Sequence, residues 1–198
     1  YHCIIRGIGP DQVLLDIEKK EPVRTELPVE IVLFQALPKA DKMELIIQKA
    51  VELGVYGIIP VAAKRCVVKL DEKKAASRIA RWQAIAQSAA KQSRRGIIPE
   101  VAGIMSFARA VEMASGMDVR LIPYELAEGM EKTRELVDSL KGGQDIALFI
   151  GPEGGFEESE IQLAMDSGIV PVTLGRRILR TETAGMTVLS WIMYRLES

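Results

Sequence analysis

From Ile31 onward the chain alternates short, β-branched-rich apolar runs with longer amphipathic segments, and that alternation admits few folds. A short apolar run suits a strand buried on both faces, and an amphipathic segment suits a helix laid over a sheet. The combination predicts an α/β fold with a mainly parallel sheet. Strands are predicted at 31–36, 57–62, 119–123, 146–150 and 170–174. Helices are predicted near 41–53, 73–93, 106–114, 131–140, 157–167 and 183–196. The first helix carries Met43, Ile46, Ile47, Ala50 and Val51 on one face, a capping-box spacing from Asp41 to Glu44, and Gly54 as its stop. Trp82 and Trp191 fall at helical core positions.

The first residues have a different texture. Residues 2–8 and 12–18 alternate apolar and polar side chains around Gly9-Pro10-Asp11, which predicts a hairpin. Two strands cannot bury a core alone. They are therefore expected to be the end of a small β domain, closed by the charged stretch from Lys19 to Pro28. This divides the chain into 1–28 and 29–198. Because the chain opens at Tyr1, without an initiator methionine, an N-terminal portion is expected to be missing.

With 198 residues, 48% of them apolar, the chain can bury a sizeable core. Net charge is −1, yet ten basic residues lie between Lys64 and Arg95 against only Asp71 and Glu72. That stretch carries +8 and the remainder −9, so any anionic partner must meet a local patch. Cys3 and Cys66 lie far apart and His2 is the only histidine, which supports neither a metal site nor a disulfide framework. Cys66 reads as a small buried residue in a strand-like run, and His2 as a strand residue. No apolar run reaches the length of a membrane span and no signal segment opens the chain, so a reducing cytoplasm is expected.

Ligands of open parallel sheets collect at the carboxyl ends of strands, so the loops after strands are the places to look. Gly151-Pro152-Glu153-Gly154-Gly155-Phe156 follows the strand at 146–150 and precedes a helix. Its glycines allow close backbone approach, but neither phosphate-loop nor dinucleotide-fold spacing is present. Glu153, Glu157, Glu158 and Glu160 surround the helix start and would oppose a polyphosphate; a neutral or cationic ligand fits better. Taken alone, the segment is equally a glycine-rich turn with acidic compensation of the helix dipole. The second loop, Gly175 to Ala184, places Ile178 and Leu179 among polar residues, a costly arrangement unless they cover something flat and apolar such as an adenine. By itself it reads slightly more simply as the start of a buried helix flanked by solvated arginines.

Together these loops resemble something specific. LFIGPEGGF at 148–156, followed by LGRRILRTETAG at 174–185 and an apolar C-terminal helix, resembles the cofactor-binding end of the SPOUT class of S-adenosylmethionine-dependent RNA methyltransferases. Within that class the match is to the small-subunit ribosomal RNA uridine N3-methyltransferase family. Further similar stretches are LFQALPKADKMELIIQKAVELGV at 33–55, Arg65-Cys66-Val67-Val68, and Lys91-Gln92-Ser93-Arg94 followed by Ile98-Pro99-Glu100-Val101.

The resemblance implies a C-terminal deep trefoil knot holding S-adenosylmethionine, a homodimer formed through the knot, and residues 1–28 as the remnant of a PUA-like RNA-binding β-barrel. It implies a cofactor site of Ile150, Gly151, Pro152, Glu153, Gly154 and Gly155 with Leu174, Gly175, Ile178, Leu179 and Arg180, and Tyr124 and Glu125 as a third wall. Arg180 is expected to orient or stabilise the target base, with Thr181 or Glu182 organising its loop. Lys39, Lys42, Arg65, Lys91, Gln92 and Arg94 are expected on phosphates of small-subunit ribosomal RNA, where each Lys or Arg contact releases counterions. Two alternatives stay open: a knotted methyltransferase with another acceptor, a ribose 2′-hydroxyl or a transfer RNA base, and a non-catalytic RNA-binding assembly factor. Neither metal nor membrane is expected.

Overall fold

The structure is a computed structural model that describes residues 1–22, 24–67, 72–127 and 129–197. Val68, Lys69 and Asp71, part of the basic stretch and of the Arg65–Val68 motif, lie outside the described residues.

Strands β1 (His2–Ile8) and β2 (Val13–Lys19) form the expected hairpin, an antiparallel sheet of their own with almost every side chain exposed. His2 is a strand residue whose Nε2 lies 3.0 Å from Glu21. Next come β3 (Glu30–Ala36), α1 (Lys42–Glu52), β4 (Gly57–Ala62), α2 (Glu72–Gln92), β5 (Glu100–Val101), β6 (Met105–Ser106) and α3 (Phe107–Ala114). The chain ends with β7 (Val119–Pro123), α4 (Met130–Asp138), β8 (Asp145–Ile150), α5 (Glu158–Asp166), β9 (Val170–Val172) and α6 (Thr181–Leu196). Only β5 and β6 were not anticipated; at two residues each they are too short to leave a periodic signal.

The second sheet has strand order β5-β4-β3-β8-β7-β9, with β6 also on β4, and every pairing is parallel. Alternation along β8 sends Ile146, Leu148 and Ile150 to one face and Ala147 and Phe149 to the other. The first face is covered by α1, α2, α4 and α6, the second by α3 and α5. On the second face Phe34 and Phe149 stack at 4.4 Å, with Phe107 edge-on to Phe149. Helix α1 buries the five residues expected of it. The capping box expected at its start does not form: Asp41 makes no side-chain cap, and Glu44 instead pairs with Arg81 of α2 at 2.7 Å. Trp82 is buried as predicted, whereas Trp191 is only partly so.

Strand order decides where a site can form. β3 and β8 are neighbours, yet the helices that follow them, α1 and α5, lie on opposite faces of the sheet. Beside them β8, β7 and β9 end together at the C-terminal edge of the parallel sheet, the edge at which ligands of such sheets collect. Among the described residues no helix is long and apolar enough to cross a membrane.

Candidate functional site

At that edge the loops after β7, β8 and β9 wall a cavity of about 370 Å³. Such a volume lies within the usual range for small-molecule sites, roughly 300–1,000 Å³. Of the residues expected to hold a cofactor, Tyr124, Glu125, Ile150, Gly151, Pro152, Glu153, Gly155, Leu174, Gly175, Ile178, Leu179 and Arg180 all line it. Gly154 does not. It faces away, towards Arg65, whose guanidinium donates a 2.9 Å bond to the Gly154 carbonyl. Gly155 (φ +66°) and Gly175 (φ +102°) hold backbone conformations that L side chains rarely adopt, and a Cβ on either would meet no protein atom within 4 Å. Both glycines line the cavity, and a Cβ on either would stand in open space.

Helix α6 begins only at Thr181, so Ile178 and Leu179 are not the start of a buried helix. Ile178 is 87% exposed and Leu179 is half-buried against the cavity. Arg180 stands at the N-cap position, exposed, and has no ion-pair partner among the described residues. Thr181 is buried; its hydroxyl donates to the Gly151 carbonyl at 2.6 Å and accepts from Gln35 Nε2 at 3.0 Å. Glu182 does not line the cavity, but its carboxylate lies 3.4 Å from Lys42, which does.

The acidic residues around the α5 start are not free to select a cationic ligand, as the sequence led one to expect. Glu153 accepts from the Lys39 backbone N–H at 3.1 Å and pairs with Lys42 at 2.9 Å. Burial opposes the charged form of Glu153, but the bonds from Lys42 and from backbone N–H groups outweigh it and hold the carboxyl below its ordinary range. Lys42 is raised in turn, chiefly by its bond to Glu153. Glu157 is lowered by its bond from Lys64, a 2.8 Å pair, and buried Glu160 accepts the Lys64 and Glu157 backbone N–H groups, each at 2.9 Å. These carboxylates bind the loops after β3 and β4 to the loop after β8. Glu158 stands exposed in the first turn of α5.

The six residues expected on RNA therefore divide. Lys39, Lys42 and Arg65 brace the 151–155 loop at the C-terminal edge. Lys91, Gln92 and Arg94 are exposed at the end of α2, just before β5 begins, and so lie at the opposite edge of the parallel sheet. Arg81 and Arg95 of the basic stretch are internally paired, with Glu44 and Glu26. Cys66 sits in the turn after β4 rather than in a strand, half-buried, and burial raises its thiol pKa.

Sequence reasoning expected the main chain of 151–155 and 174–180 against the ligand, which takes in Arg176 and Arg177, but missed Lys42 and Thr173 as cavity residues. Nothing local marks Lys42, which reaches Glu153 only because β3 and β8 are neighbours. Among the described residues no cluster could hold a metal ion.

Comparison with known proteins agrees with this geometry. A family model described as an RNA methyltransferase domain matches residues 25–193. Ribosomal RNA small subunit methyltransferase E of Bacillus subtilis is 37% identical over 98% of this chain and 77% of its own length. The Mycobacterium bovis protein of the same name is 38% identical over 94% of this chain and 71% of its own. A crystal structure of the Neisseria gonorrhoeae protein of that name, bound to S-adenosyl methionine, superposes with TM-score 0.84 at 33% identity, covering 97% of this chain and 77% of that one. A match of this extent, joined to a strand-end cavity of the same residues that carried the resemblance, shows that the chain belongs to the ribosomal RNA small subunit methyltransferase E family.

Proposed function

We propose that this protein transfers a methyl group from S-adenosylmethionine to N3 of a uridine in small-subunit ribosomal RNA. The observation that carries the reading is the cavity walled by three strand-end loops with Arg180 exposed at its rim. Its residues fit that cofactor: Leu174, Leu179 and Ala184 offer apolar surface, while the turns at Gly155 and Gly175 leave open space at the wall. When bound, S-adenosylmethionine supplies an electrophilic methyl carried on a sulfonium.

Transfer of that methyl is an in-line displacement, so the protein's task is alignment together with removal of one proton. The uridine imide proton passes to solvent water, the charge it leaves over O2, N3 and O4 is stabilised by the Arg180 guanidinium, and N3 then takes the methyl as the S–CH3 bond breaks and S-adenosylhomocysteine leaves as a neutral thioether. Thr181 and Glu182 keep Arg180 in register, the first through Gly151 and the second through Lys42. Arg176 and Arg177 add positive charge to the same rim and draw the RNA towards it.

The same reading makes the C-terminal segment a deep trefoil knot, the protein a cytoplasmic homodimer joined at the knot, and residues 1–28 the remainder of a PUA-like RNA-binding domain ahead of a methyltransferase domain at 29–198. Lys39, Lys42 and Arg65 then face RNA at the cavity edge. Lys91, Gln92 and Arg94 meet it elsewhere, or across the dimer.

The test is to incubate the protein with labelled S-adenosylmethionine and small ribosomal subunits lacking the modification, and to identify the product nucleoside by mass spectrometry. N3-methyluridine is the expected product. Another methylated nucleoside, or none despite measured cofactor binding, overturns the acceptor.

A further inference from the structure

Gln35 is a polar residue near the carboxyl end of the apolar strand β3. It is fully buried, level with Ile150 at the last rung of the β3–β8 pairing, and on the face covered by α6. Its amide donates to Thr181 Oγ1 at 3.0 Å and to its neighbour's carbonyl, that of Ala36, also at 3.0 Å. Thr181 Oγ1 passes the chain on, donating at 2.6 Å to Gly151 O. One relay therefore joins a central strand to the first residue of α6, next to Arg180, and to the first residue of the glycine loop.

Two features separate this relay from ordinary packing. A threonine hydroxyl has one proton, and because the Gln35 N–H occupies its oxygen as acceptor, that proton is left to point at Gly151. Gln35 Oε1, in contrast, is buried without a hydrogen-bond partner among the described residues. A buried orphan carbonyl is destabilising, and an apolar side chain of the same length would serve stability better. What the glutamine contributes is orientation.

We infer that Gln35 is a positioning residue for methyl transfer, acting through Thr181 to hold Arg180 in register with the 151–155 loop; this rests on the role proposed above for Arg180. Gln35→Met keeps the shape and removes the donor. It is expected to lower kcat about 10- to 100-fold, the scale of a small misplacement at a reacting centre. Its Kd for S-adenosylmethionine should stay within about threefold of the parent, because Gln35 does not line the cavity and of the residues that do only Gly151 and Thr181 belong to the relay. Its melting temperature should be unchanged or higher.

Thr181→Val cuts the relay at its middle and should match that kcat loss, and the double variant should be no worse than either single. In the protein without cofactor, amide hydrogen exchange should quicken at 151–155 and 181–184 and nowhere else. Full kcat in Gln35→Met, additive losses in the double variant, or unchanged exchange in both loops overturns the assignment. Arg180→Ala assayed alongside separates the two claims: full activity there removes the role of Arg180, while the exchange pattern still judges whether Gln35 holds the two segments.

Discussion

Lys42 Nζ lies 2.9 Å from Glu153 Oε1, an ion pair that ties the first residue of α1 to the glycine loop after β8. Because Lys42 also approaches Glu182 at 3.4 Å, one ammonium bridges the glycine loop after β8 and the first turn of α6.

This pair has a defined pH window. Glu153 is held below the ordinary 4.5, so the stability it adds is present above that value and is lost as pH falls through its lower folded value. Lys42 is held above the ordinary 10.5, so its share is present below that value and is lost as pH rises through the higher folded one. Glu153→Gln should therefore melt below the parent by a constant margin between these limits, and the margin should close in acid below 4.5. Melting curves across pH check this; a margin that widens in acid contradicts it.

Removing Arg180 should act on chemistry. Arg180→Ala is expected to lower kcat about 100- to 1,000-fold, as for loss of one preorganised donor at a developing oxyanion. Cofactor affinity, measured by calorimetry, should change by less than about threefold, since backbone and apolar side chains line much of the same cavity.

Gly155→Ala tests the open wall. Forcing an alanine to φ +66° costs about 1–2 kcal/mol, while its Cβ meets no protein atom within 4 Å. The fold should survive with a modestly lower melting temperature. S-adenosylmethionine affinity should fall by about tenfold or more, because the added methyl group stands on a residue that lines the proposed cofactor cavity. Unaltered affinity would place the ligand elsewhere.

The stacked pair in the core bears on stability alone. Phe149→Ala removes a fully buried ring lying 4.4 Å from Phe34 and should cost about 3–5 kcal/mol in urea denaturation.

Phosphate contacts can be counted by salt. If Lys91 and Arg94 touch RNA, changing both to alanine should reduce the slope of log K against log salt by about 1.4–1.8. An unchanged slope in filter binding would leave recognition to the cavity edge.

What the sequence by itself determined is what depends on neighbours along the chain. The apolar runs at 31–36 and 146–150 could only be buried strands, and the amphipathic faces of α1 and α2 could only be helices laid over them. The glycine loop after 146–150 and the loop after 170–174 were each ambiguous alone, and they marked two cavity walls only through the family resemblance they carry together. Side-chain partners were decided only by tertiary structure. Asp41 and Glu44 have capping-box spacing, yet Glu44 turns to Arg81 because α2 packs on α1. Lys42 reads in sequence only as a phosphate ligand, and that it also braces the glycine loop follows from β3 and β8 being neighbours, which brings residues 114 apart into contact at the Lys39–Glu153 bond. Lys91 and Arg94 look continuous with Arg65 in sequence but lie at the other end of the sheet, because α2 carries the chain back to where the parallel strands begin. Gln35 gave no signal: an amide inside an apolar run has no periodicity, and its meaning depends on Thr181, 146 residues away.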